Sequence, residues 1–397
     1  MPYTIALTYN LKPDPPLAGP GTGIEPEDAY SECDSRQTVQ AIAEALRAAG
    51  HQVLPVEATP AIASWFQHHP VDLVFNTAEG VGGQAREARV PANLDLLGIP
   101  YTGSGVLTLA LALDKAKTKQ LLRAAGVPTP RWQLFPRPDR PLDPTLQFPL
   151  IVKPNGEGSA KGIWASSVVH EPAGASAQIL RVFERYDQPV LVEEFVEGLE
   201  LTIGILGHAP PRVLPVLEID FSSCAGSGES FYSWRMKEYQ GNAALHLTPT
   251  FWCPARLPAA VAADAQRLAL AAHQALECRD FSRVDVRLDA QGVPFVLEIN
   301  PLPGLDPTES NFPRMARAAG IEYPALIARL VELVAARTPI KASIPPRRCE
   351  EEPVAVGAPD TPWPAAPVRG DGTTARWPAS PGAASASRGL WPAQGGR

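Results

Sequence analysis

The stretch SRVDVRLDAQGVPFVLEINPLPG, residues 282–304, constrains this chain more than any other. It reads as a hairpin whose two strands carry acidic residues. Side chains alternate along a strand, which puts Glu298 and Asn300 on one face. A paired strand brings Asp285 beside them. Two carboxylates and an amide oxygen make a hard oxygen site, which Mg²⁺ prefers when phosphates complete its shell. Read alone, Asp285 and Glu298 are equally readable as ordinary hairpin charges. The apolar setting FVLEIN weighs against that, because a buried carboxylate needs a partner or a metal.

A second segment, FPLIVKPNGEGSAKGIWASS (residues 148–167), reads as strand, glycine loop, strand. It fits neither common glycine code. Lys161 is followed by glycine where a Walker loop needs Ser or Thr, and the third glycine comes one residue late for a dinucleotide fingerprint. Lys153 closes the apolar run LIVK, and Lys115 sits in LALDKAKTK. Both are placed for a phosphate. The backbone N–H groups of Gly158, Ser159 and Ala160 can cradle phosphate oxygens, since glycine lets the backbone come close. The competing reading is a surface turn with solvated lysines. Glu193 and Glu194 end another apolar strand, PVLVEE, and Glu200 follows. A hinge strand can offer backbone groups to a base, and a carboxylate can accept from ribose hydroxyls.

The N-terminal hundred residues alternate strand, helix, strand: YTIALTYN, a helix with Val39, Ile42, Ala43, Leu46 and Ala49 at helical spacing, then QVLPVE and VDLVFN. That pattern predicts a parallel α/β domain ending near residues 98–105. LDKAKTKQLLRAAG, LPAAVAADAQRLALAAHQAL and YPALIARLVELVAAR read as helices, and PVLVEEFVEGLELTIGIL as two strands turning at Gly198. With a net charge of −7 and no basic block in the first 340 residues, nucleic acid is not the expected partner. Cys33, Cys224, Cys253, Cys278 and Cys349 are scattered, which suits a reducing cytoplasm better than a disulfide framework. The N-terminus reads as lacking a signal peptide, and no apolar run approaches the roughly 18 residues of a membrane helix. Residues 341–397, rich in Pro, Ala, Gly and Ser, read as a disordered tail, or as a partner-binding segment using its tryptophans.

IPYTGSGVLTLALALDKAKTKQLLRAAGVPTP, LIVKPNGEGSAKGI, VLVEEFVEGLELTIGILG, FYSWRMKEY and the segment running from residue 282 to GIEY resemble, in order, the ATP-grasp superfamily and within it the D-alanine–D-alanine ligases. The resemblance runs from about residue 30 to residue 336. It implies an α/β fold with α+β elements. The parts are an N-terminal Rossmann-like domain (1–103), a central ATP-grasp subdomain with a phosphate flap (104–192) and a C-terminal antiparallel-sheet subdomain (193–340). It implies ATP and Mg²⁺, with two ions expected and Mn²⁺ an alternative, amino-acid substrates, and a homodimer. Lys115 and Lys153 would contact the phosphates, and the loop around Gly158 and Ser159 would close over them. Glu193 would lie at the adenine hinge and Glu200 at the ribose. Asp285, Glu298 and Asn300 would hold the metal. Arg283 and the Gly304 N–H would form an oxyanion hole, and Lys237 would sit in the mobile lid. Ser310 would receive the acceptor carboxylate, and Glu32 the donor amino group.

The family's HGxxGEDG segment is absent. NTAEGVGGQAREARVPANLD (76–95) replaces it, keeping Glu79 and Gly80 but no histidine. The lid reads Lys237–Glu238–Tyr239 instead of Lys–Tyr. LDPTESNFP carries an added Glu309, and the N-terminal glycine-rich turn is missing. These departures fall on the amino-acid pocket. Arg86 and Glu87 are expected either to pair with each other or to meet a charged substrate. The readings that stand are a D-alanine–D-alanine ligase serving peptidoglycan synthesis, a related ligase joining other amino acids, and a non-catalytic nucleotide-binding module.

Overall fold

A computed structural model describes residues 2–13 and 28–338. The tail expected over 341–397 lies outside the described residues. Three sheets follow one another along the chain.

In the first sheet, β1 (Thr4–Tyr9) lies between β2 (Gln52–Glu57) and β3 (Leu73–Asn76), all parallel. Helix α1 (Arg36–Ala48) connects β1 to β2. It starts at Ser35, whose side chain accepts from the Thr38 N–H. Its buried residues Val39, Ile42, Ala43 and Leu46 have the helical spacing read from the sequence, and they pack over Ile5 and Leu7. The other face of the sheet is covered by α2 (Ile62–His68) and α3 (Arg89–Leu97), through Phe66 and Leu94. Helix α4 (Val106–Leu113) then runs into α5 (Lys115–Ala124). Helix α5 fills the stretch LDKAKTKQLLRAAG read as a helix from the sequence, and Asp114, with an extended backbone, separates it from α4 and caps it through the Lys117 N–H.

The second sheet is antiparallel and contains β4 (Trp132–Phe135), β5 (Leu150–Pro154), β6 (Val168–Val169) and β7 (Val190–Glu194), in the order β4-β7-β5-β6. Helix α6 (Pro172–Tyr186) buries Ala175, Ile179 and Val182 against it. The glycine loop joins the antiparallel pair β5 and β6, so it hangs off a hairpin and does not open a helix.

The third sheet contains β8 (Glu200–Leu206), β9 (Arg212–Val213), β10 (Leu217–Asp220), β11 (Thr250–Trp252), β12 (Phe281–Leu288) and β13 (Pro294–Asn300). Its order is β11-β10-β8-β12-β13, with β9 on β8. The short helix α7 (Trp234–Glu238) interrupts the connection from β10 to β11. Helix α8 (Ala259–Ala275) covers one face of this sheet through Ala265, Leu268 and Ala272. On the other, α9 (Asn311–Ala318) contributes Phe312 and Met315 to a core that continues into α10 (Tyr323–Arg337) and α1. The end of the chain's described part therefore packs on its beginning. No helix among the described residues is long and apolar enough to cross a membrane.

Candidate active site

The β12–β13 hairpin sets the centre. Its register places Asp285 opposite Glu298 and Arg283 opposite Asn300. A register shift after Asp285 marks a bulge, a common device for aiming side chains. Asp285 accepts from Arg283 Nε (2.9 Å) and Nη2 (2.8 Å), from Thr202 Oγ1 (2.7 Å) and from Asn300 Nδ2 (3.1 Å). The sequence treats Arg283 as an oxyanion donor. Here its fork lies on Asp285, and the side chain still borders the cavity.

Glu298 lies 3.3 Å from Lys115 Nζ. Burial alone would raise its carboxyl. Lys115, Lys153, Lys237 and Arg283 overcome that and hold it well below the usual carboxylate range. An ionised carboxylate, a second one directly across the ladder and an amide two residues on are hard oxygen donors facing one cavity. This set fits Mg²⁺.

Lys153 pairs with Glu193, which also takes Lys119 Nζ at 2.6 Å. All three are buried. Burial works against the charge on Lys153, but Glu193 and Glu298 leave its ammonium above its ordinary value. The Glu193 side chain is thus spent on two lysines. Glu193 still borders the neighbouring cleft, together with the segment 194–196 at and just beyond the end of β7, Ile151, Ile163 and Leu297. Glu200 borders the same cleft and lies 3.8 Å from Arg287. Lys237 on α7 stands over the Tyr232 ring, its ammonium pulled down by burial and by Arg283.

The glycine loop is folded over this centre. Ser159 and Ala160 are both left-handed (φ 47° and 57°), and their N–H groups donate to no other described residue. The Gly158 N–H, expected in the phosphate cradle, instead donates to Glu32 Oε1 at 2.7 Å. Asp28 accepts from the Gly162 N–H and from the Tyr186 hydroxyl, both at 2.7 Å. Trp234 of the lid donates to Ser31 Oγ (2.6 Å) and packs against Trp164 of the loop. Glu238 pairs with Lys12 at 2.5 Å. Loop, lid and N-terminal segment thus close on one another. Gly162 (φ 77°) permits this closure, because a Cβ there would collide with the Pro154 ring. Gly162→Ala is expected to cost about 1–3 kcal/mol in thermal or denaturant unfolding and to raise KM for the nucleotide.

Two further regions complete the cavity, whose volume is about 440 Å³. Gly304 stands where a Cβ would meet Ser310 Oγ at 2.8 Å, so the segment from 304 to 310 closes tightly on itself. Ser310 Oγ accepts from the Asp306 N–H at 3.0 Å. Across from it lies an acidic corner of Glu32, Asp34, Glu79 and Glu87. Arg86 does not pair with Glu87. It grips Glu32 (2.6 Å) and Glu157 (3.1 Å). Burial and the neighbouring carboxylates raise Glu79 and Glu87, and burial pushes Asp34 up to about 7.

Comparison with known proteins gives this arrangement its relatives. The family described as D-ala D-ala ligase C-terminus matches residues 121–332. A D-alanine–D-alanine ligase of Caulobacter vibrioides is 36% identical over 335 residues, covering 83% of this chain and 98% of that protein. The chain belongs to the D-alanine–D-alanine ligase family. Members of this family are ATP-dependent, ADP-forming ligases, and so is this enzyme. An uncharacterized protein, y4sG, of Sinorhizobium fredii is likewise 36% identical, over 73% of this chain and 84% of its own. The fold matches the D-alanine–D-alanine ligase of Bacillus anthracis complexed with ATP, with a TM-score of 0.63 at 24% identity over 84% of this chain and 98% of that one. The ATP-grasp architecture is thereby established.

Sequence reading did not single out Glu157, Lys119, Asp28 or Tyr232. A signal for Lys119 existed. Lys115, Lys119 and Leu122 recur at helical spacing, so both lysines of α5 share its buried face. Nothing local marks Glu157 or Asp28, whose partners lie on other segments.

Proposed function

We propose that this ligase joins two amino acids by activating the carboxylate of one as an acyl phosphate. The observation that carries the reading is Glu298, ionised within a ring of Lys115, Lys153, Lys237 and Arg283 and directly across the ladder from Asp285. Such a ring balances a triphosphate and its charge-compensating metal.

Asp285, Glu298 and Asn300 would hold Mg²⁺, with two ions the preferred occupancy and Mn²⁺ an acceptable substitute. Bound there, the metal neutralises charge on the phosphoryl oxygens. Lys115 and Lys153 bind the phosphates, and Ser159 and Ala160 supply free N–H groups from the flap. The segment 194–196 meets the adenine, and Glu200 the ribose. A substrate carboxylate oxygen attacks the γ-phosphorus, the bond to the β–γ bridging oxygen breaks, and ADP leaves. The second amino acid's amine then attacks the acyl carbon, and inorganic phosphate departs. Arg283 and the Gly304 N–H face the resulting oxyanion, a donor pair whose loss typically costs about 3 kcal/mol per member. Ser310 positions the acceptor carboxylate and Glu32 the donor ammonium. The closed flap and lid keep water from the acyl phosphate. The division into segments 1–103, 104–192 and 193–340, and a homodimeric assembly, belong to this reading.

D-alanine is the first candidate for both substrates, as in the relatives' names. A ligase for other amino acids is favoured by one specific observation, the acidic corner around Glu79 and Glu87. A VanG D-Ala:D-Ser ligase of Enterococcus faecalis, with a TM-score of 0.65 at 24% identity, shares the fold. The test is ADP release with Mg²⁺ and ATP against single and paired D- and L-amino acids, with product masses measured. A D-alanyl-D-alanine product supports the first candidate. Absence of ADP with every amino acid overturns the reading.

A further inference from the structure

The acidic corner holds more carboxyl groups than one substrate ammonium requires. Ligand oxygens of Glu32, Glu79 and Glu87 lie within 4.8 Å of one another, and Asp34 borders the same end of the cavity. Among the described residues, Glu32 is the one of these carboxylates with an ion-pair partner, Arg86, and that guanidinium is shared with Glu157. Among the described residues the Asp34 carboxylate accepts one hydrogen bond, from Thr77 Oγ1 at 2.7 Å. Glu87 is 92% buried (8% exposed), lines the cavity, and its carboxylate makes no hydrogen bond or ion pair among the described residues. Glu79 likewise has none. A buried carboxyl without a partner stays protonated, as the raised Glu79 and Glu87 are, until a cation arrives to meet the ionised form.

We propose that the amino acid seated at this corner carries a second cationic group, an ammonium or guanidinium on its side chain, received by Glu79 and Glu87 while Glu32 faces the α-ammonium. This rests on the ligase reading and names its substrate class: a basic or diamino acid. A divalent metal fits the corner less well. Both Glu32 oxygens already accept from Arg86 (2.6 and 2.7 Å from Nη2), and the Gly158 N–H takes Oε1 as well, so a dication would sit against a guanidinium with one ligand spent. An ammonium, in contrast, brings its own donors to the two carboxylates that lack them. The raised carboxyls of Glu79 and Glu87 agree with a site waiting for positive charge.

The test uses the full chain with Mg²⁺ and ATP. ADP release is measured with lysine, ornithine, 2,4-diaminobutyrate and arginine against norleucine and alanine, both enantiomers, singly and in pairs. At least one basic amino acid is expected to exceed its neutral counterpart about tenfold or more in kcat/KM. Glu87→Gln is expected to raise KM for that substrate about tenfold, with KM for ATP and kcat changed less than about twofold. Glu79→Gln provides an independent second variant. Equal or better turnover of neutral amino acids overturns the inference and leaves the ligase reading standing. No ADP with any amino acid overturns the ligase reading itself, and the inference with it. Thermal stabilisation by Mg²⁺ alone that Glu87→Gln abolishes would assign the corner to a metal and also overturn the inference.

Discussion

Glu298→Gln is expected to lower kcat for ADP formation about a thousandfold or more while the protein stays folded. The substitution is isosteric, so the β12–β13 ladder and the apolar contacts of the strand persist. What it removes is the one charge surrounded by Lys115, Lys153, Lys237 and Arg283, and with it a metal oxygen. Asn300→Ala tests the same site through a neutral ligand and is expected to act in the same direction. Wild-type turnover in either variant, measured by coupled ADP assay beside a circular dichroism spectrum, would dismiss the metal assignment. The stability signature has a definite sign. A carboxyl held below its unfolded value stabilises the native state above the ordinary carboxylate range, and the contribution is lost as pH falls through and below about 4. Glu298→Gln lacks it at every pH, so the gap in melting temperature between wild type and variant should narrow on acidification.

Glu193→Ala should be the most destabilising single change in the site, by about 3–5 kcal/mol. Lys119 and Lys153 both end on this carboxylate, and all three side chains are nearly inaccessible. Removing it leaves two buried ammonium groups facing each other with one neighbour fewer. A fall in melting temperature of roughly 5–10 °C is expected. The double variant with Lys119→Met should recover part of it, because one of the stranded charges is then gone. A shift of less than about 2 °C for Glu193→Ala would show that water reaches the triad. Nucleotide affinity should fall as well, since Lys153 loses the group that fixes its position.

Glu193 shows where sequence reading stops. The apolar run PVLVEE marks the strand, and its acidic end suggests a hinge. Which way the side chain turns depends on Lys119, seventy-four positions earlier. The same holds for Arg86 and Glu87. Their adjacency leaves a mutual pair open, and only the placement of Glu32 and Glu157 turns Arg86 away and leaves Glu87 alone. The Gly158 N–H, legible as a phosphate donor, proves to be held by Glu32 from the N-terminal segment.

Local physics determined what the sequence alone could show. Period-two alternation within the hairpin of residues 282–304 placed Asp285, Glu298 and Asn300 together. The helical spacing of Val39, Ile42 and Leu46 placed α1, and the glycines between two apolar runs placed a flap over a lysine. These patterns are written in neighbours within a few residues of one another. Only the tertiary structure decided which charges meet, because ion pairs across segments carry no local periodicity. It turned Glu193 onto two lysines, spent Arg86 on Glu32 and Glu157, and left the half-buried Glu79 and the buried Glu87 without a side-chain partner among the described residues.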